Sequence, residues 1–94
     1  MPRAIWNGKV IAESKKVKEV EGDKYFPPKS VNKKYLRKSE KHFASIDKGV
    51  ANYFNVVVDN VVNWDGAWYY PSPKEEAKDL KDYVAFWHGI DIEE

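Results

Sequence analysis

A mostly β domain is what this chain predicts, and three observations predict it. Asn7-Gly8 sits between two short apolar runs, a hairpin signal. Gly49 to Val58 alternates side chains with apolar residues on both faces, as a central strand does. Helical period with matching cap residues occurs only once, near residues 73–82. With 94 residues the chain forms one domain, residues 1–94, that buries about 60 to 65% of its unfolded surface.

Ala4-Ile5-Trp6 and Lys9-Val10-Ile11-Ala12 are the first two strands, because Asn-Gly supplies the two positive φ angles of a type I′ turn. A second hairpin pairs Val17–Val20 with Lys24–Phe26 around Glu21-Gly22-Asp23, and Pro27-Pro28 ends it because proline cannot donate to a ladder. Ser30 is a candidate cap for a short helical turn running through Tyr35 and Leu36. Arg37 to Lys48 shows no period and reads as a loop, with His42-Phe43 its only foothold.

On the long strand Val50, Phe54, Val56 and Val58 share one face, and Ala51, Tyr53, Asn55 and Val57 the other. Asp59-Asn60 turns into Val61–Trp64, and Asp65-Gly66 turns again into Ala67–Tyr70, an antiparallel meander. Ser72, Pro73 and Glu75 form a capping box at the start of one short α-helix near residues 73–82. Ala77, Leu80, Tyr83 and Val84 are its apolar face. Strand Val84–Trp87, a His88-Gly89 turn and Ile90–Ile92 complete the chain.

Composition narrows the chemistry. There is no cysteine, which excludes disulfides, thiolate nucleophiles and cysteine-based zinc sites. The first residues lack the apolar stretch of a signal peptide and no run is long enough to span a membrane, so a cytoplasmic location is expected. The net charge of +1 hides an asymmetry: residues 1–48 carry 13 Lys/Arg against 6 Asp/Glu, a balance of +7, and residues 49–94 carry 3 against 9, a balance of −6. In so small a domain two halves that attract each other explain the split better than a separate anionic partner.

The ordered blocks Ala4–Gly8, Gly22–Pro28, Lys48–Ala51, Tyr53, Val57–Asp59, Ala67–Pro71 and Val84–Trp87 resemble the family known as domain of unknown function 427, also labelled nucleotidyltransferase-like. The resemblance covers nearly the whole chain. It implies a β-tent structure, antiparallel sheets with the topology of methionine sulfoxide reductase B and translationally controlled tumour protein, and no secure activity. Two positions depart from the family pattern. Where relatives commonly read Cys-Pro-Trp/Tyr-Lys-Gly this chain reads Ser45-Ile46-Asp47-Lys48-Gly49, and His88 stands where a proline is usual. A serine without an adjacent base is a far weaker nucleophile than a thiol.

Nucleotidyl transfer needs two or three carboxylates on Mg²⁺ and a phosphate cradle. The nearest candidates are Asp91 with Glu93 at the chain end and Asp59 with Asp65, which turn formation explains better. His42 and His88 stand alone, and no metal site or cofactor is assigned. Lys29, Lys33, Lys34, Arg37, Lys38 and Lys41 read as a solvated loop more readily than a nucleic-acid contact, since lysine outnumbers the arginine that planar recognition favours. Lys48 is as readily a solvated lysine as an anion-binding one.

The densest aromatic feature is Ala67-Trp68-Tyr69-Tyr70-Pro71-Ser72-Pro73, echoed by Tyr83–Gly89. Trp68, Tyr69 and Tyr70 alternate faces, so one side fills the core while the other faces a cleft. The expected function is binding of a small anionic or planar ligand in a cleft rimmed by Tyr25, Lys48, Tyr53, Asp65, Trp68 and Tyr70, by a monomer or weak homodimer. A nucleotide-handling enzyme and a protein-interaction module are the rival readings.

Overall fold

The computed structural model describes residues 1–94. Nine strands run in chain order: β1 (Arg3–Trp6), β2 (Lys9–Glu13), β3 (Lys18–Val20), β4 (Asp23–Tyr25), β5 (Leu36–Ser45), β6 (Gly49–Val58), β7 (Val61–Tyr69), β8 (Val84–Phe86) and β9 (Asp91–Glu93). They form a three-stranded sheet β2-β1-β9, the hairpin β3-β4 and a four-stranded sheet β5-β6-β7-β8, with every strand pairing antiparallel. No helix is long and apolar enough to cross a membrane.

Two-residue turns make three of the links. Asn7 and Gly8 (φ 49° and 76°), Glu21 and Gly22 (54° and 86°), and Asp59 and Asn60 (50° and 65°) each supply paired left-handed residues, the geometry that matches strand twist. Phe26 exchanges two backbone hydrogen bonds with Val84 at 2.8 and 2.9 Å, which ties the β3-β4 hairpin to β8 and folds it against the large sheet. The halves of opposite charge meet at Arg3–Glu93 (2.7 Å) and Lys24–Glu94 (3.1 Å), both near the chain ends.

The large sheet buries both faces, and strand alternation decides what goes where. Val56, Val58, Ala67, Val84 and Phe86 pack with Ile11, Ala12 and Phe26 in the main core. Ala51, Tyr53, Trp68, Tyr70 and Ala85 face the other way, against Tyr25 and Leu80. β6 is the central strand expected, with the expected faces.

Four local expectations are corrected. Residues 37–48 are not a loop: Leu36–Ser45 is a ten-residue strand. As an edge strand exposed along most of its length it is held by its ladder to β6, so it carries no hydrophobic period to read. Asp65-Gly66 does not reverse the chain. Both flanks pair with β6, and Asp65 (φ 54°) lies in a bulge, its N–H donating to Asn55 Oδ1 at 2.8 Å.

The helix near 73–82 is 3₁₀ rather than α, limited to Glu75–Leu80 and kinked at Ala77. Ser72 does not cap it. The Lys74 N–H donates instead to the Lys48 carbonyl at 2.9 Å, and a six-residue segment with Leu80 as its one buried residue has little reason to propagate. The turn expected from Ser30 is two 3₁₀ turns, Pro28–Ser30 and Lys33–Tyr35; Asn32, not Ser30, caps the second, its side chain accepting from the Lys34 N–H.

Candidate functional site

Tyr53 on β6, Trp68 on β7 and Ala85 on β8 lie directly across the ladder from one another. Two rings and one methyl group on adjacent strands leave a hollow beside Trp68. The β3-β4 hairpin arches over one side of it and lays Tyr25 edge-on to Trp68, with ring centroids 6.1 Å apart and planes at 89°. Trp87, just beyond β8, closes the other side, 5.3 Å from Trp68 at 66° and 6.0 Å from Tyr53 at 33°. Its indole N–H donates to the Asp65 carbonyl at 2.5 Å, which fixes the ring. The result is a cleft of about 270 Å³ with Tyr25, Tyr53, Trp68 and Tyr70 at its base and Trp87 and Phe43 on its walls.

Lys48 enters the rim from the β5–β6 turn. That position depends on Gly49, whose φ of 107° excludes other residues and whose added Cβ would lie 3.1 Å from the Ser72 carbonyl. The Lys48 ammonium pairs with the Glu21 carboxylate at the tip of the β3-β4 hairpin. This hydrogen bond raises the lysine pKa. Asp23 also lines the cleft; burial, and then the neighbouring Glu21 charge, raises its carboxyl.

The tyrosine hydroxyls are neutral hydrogen-bonding groups at physiological pH. Tyr25 accepts from Trp68 Nε1 at 3.4 Å. Burial, reinforced by Tyr25, pushes Tyr70 up to about 12. Burial also raises Tyr25 and Tyr53. They offer a ligand a donor or an acceptor, not a base. No group of three or more histidine, aspartate or glutamate side chains is gathered to hold a metal ion.

Of the six residues expected at the cleft, Tyr25, Lys48, Tyr53, Trp68 and Tyr70 line it together, and Asp65 does not. The Asp65 carboxylate accepts from Ser39 Oγ at 2.5 Å inside the β7 bulge, where the residue supports Trp87 through its carbonyl. Sequence reasoning missed Trp87, Phe43, Val20, Glu21 and Asp23 as lining residues. For Trp87 a signal existed in the second aromatic block. Glu21 and Asp23 carried only a turn signal, since their approach to the cleft depends on how the hairpin docks.

The remaining expected groups stay apart. His42 hydrogen-bonds Asn52 Oδ1 at 2.9 Å on the exposed β5 ladder, and the His88 ring stacks on Trp87 at 4.2 Å. The chain belongs to the family described as domain of unknown function DUF427, whose model matches residues 2–94. No curated protein matches it.

Proposed function

We propose that this DUF427 member is a small-molecule-binding domain whose ligand lays a planar or compact apolar group against the rings of the aromatic cleft. The observation that carries the reading is the packing around Trp68. Its ring is only 8% exposed, yet a cleft of about 270 Å³ reaches it and joins Lys48, Tyr53 and Tyr70. Concave, largely apolar clefts with a few convergent polar groups are the usual form of ligand sites. Glu21 already occupies the Lys48 ammonium, so the reading rests on the rings and not on an anion contact.

Thermal denaturation against a library of small planar and ammonium-bearing compounds tests the reading. A true ligand at about 100 times its Kd adds roughly 2.7 kcal/mol of stability. Trp87 is partly exposed, so Trp87→Ala should fold and lose most of that gain. If no compound raises the midpoint, or if the gain survives Trp87→Ala undiminished, the cleft is not the site. A second reading, a protein-interaction module, is favoured by the exposed rings of Phe43 and Trp64. It predicts that no small molecule raises the midpoint and that Trp64→Ala weakens capture of a protein partner.

A further inference from the structure

We infer that the cleft selects an organic cation, a methylated ammonium group held against Tyr53, Trp68 and Trp87 with Asp23 as its counter-charge; this rests on the reading of the cleft as a ligand site. The ring geometry is the first support. Trp68 stands at 66° to Trp87 and 89° to Tyr25, so ring faces and edges enclose the hollow from several directions. Electron-rich faces arranged in this way attract a cation, and a methylated ammonium, weakly hydrated, loses little on leaving water.

The charges point the same way. Lys48 is paired with Glu21, which leaves Asp23 as the carboxylate on the cleft wall that makes no ion pair. Next to the cleft, an open groove of about 430 Å³ shares Glu21 and Lys48 with it and adds Glu19, Asp47, Glu76 and Asp79 against Lys18 alone. An anion approaching along this groove meets repulsion, and a cation is steered inward. The protein's own lysines already use ring faces nearby. Lys18 Nζ lies 4.8 Å over Tyr83, and Lys41 Nζ lies 5.5 Å over the Tyr53 ring, where a bound cation would displace it, which leaves Trp68 and Trp87 as the main faces for the ligand.

Isothermal titration calorimetry with choline, its neutral isostere 3,3-dimethylbutan-1-ol and benzoate tests the inference on the intact chain. The first two differ in little but the nitrogen and its charge. Choline should bind about tenfold more tightly than the isostere or more, and benzoate more weakly than either. Asp23→Asn should weaken choline several-fold and leave the isostere unchanged, while Trp87→Ala should weaken both. Equal affinities for choline and the isostere, or tighter benzoate, would overturn the cation inference and leave the cleft reading standing. Absence of choline binding at millimolar concentration also overturns it, and the cleft reading falls with it only if the planar library raises no midpoint either.

Discussion

On one face of the sheet β5-β6-β7-β8, Val56, Val58, Ala67 and Val84 meet Ile11 and Phe26; on the other, Tyr53, Trp68 and Tyr70 meet Tyr25. The same strands supply both, one residue apart, so local propensity does not account for the difference. The aliphatic face is solid at its centre, where Phe26, Ile11, Val56 and Val58 are fully buried, and opens only at its edge, in a hollow of about 290 Å³ lined by Leu36, Phe54, Tyr69 and Val84. The aromatic face carries hydroxyl and indole groups, hydrogen-bonds them to one another, and still leaves a hollow. The first arrangement maximises buried area and contact, which is what stability requires. The second buries hydroxyl and indole groups, which folding alone does not reward.

The contrast is broken most severely at the aliphatic face. Phe26→Ala should cost about 3 to 5 kcal/mol, read as a lowered denaturation midpoint, because Phe26 is fully buried and its lost ring leaves a cavity in the core. A loss under about 1 kcal/mol would mean that this face is not the structural core.

Alkaline pH probes the other face. Tyr25, Tyr53 and Tyr70 are raised from the ordinary value of 10.0, chiefly by burial, with Tyr70 at about 12. The unfolded chain therefore loses these protons first. Stability should hold up to about pH 10 and fall as pH rises toward 12, in denaturation midpoints measured across that range. A midpoint that stays level from pH 10 to 12 would show hydroxyls freely exposed to water, and the two faces would no longer differ in burial.

The smallest effect sharpens the boundary between local signal and fold. Ser72→Ala should change stability by less than about 0.5 kcal/mol, against about 1 kcal/mol for a working cap. Ser72 offers no cap bond in the structure, and a loss near the larger figure would restore the capping box.

These cases also show what was legible in the sequence. Asn7-Gly8 and Asp59-Asn60 announced their hairpins because paired positive φ angles are a property of two residues and their neighbours. The face assignment of β6 was readable because Ala51 and Tyr53 go to one face and Phe54, Val56 and Val58 to the other, even though the burial rhythm slips at Phe54-Asn55 opposite the β7 bulge. β5 was not, since its order comes from ladder bonds to β6 while Arg37, Lys38, Glu40 and Lys41 stay exposed. Asp65-Gly66 carries the same left-handed preference whether it turns or bulges, and only the pairing of both flanks with β6 selects the bulge. The cap at Ser72 was lost to a tertiary bond, Lys74 to Lys48. At the cleft, Tyr53, Trp68 and Tyr70 followed from strand alternation, whereas Trp87 and Asp23 reach it only through the bulge and the docked hairpin.

The four tryptophans give the most direct test of whether the aromatic face is a binding face. Trp68 and Trp87 border the cleft, Trp6 packs against the main core, and Trp64 is exposed away from the cleft lining. In a choline titration followed by nuclear magnetic resonance of the indole N–H groups, the Trp68 and Trp87 signals should move together along one saturating curve while those of Trp6 and Trp64 stay in place. Signals that all drift without saturating, or a saturating shift at Trp64 with none at Trp68 and Trp87, would contradict binding in the cleft.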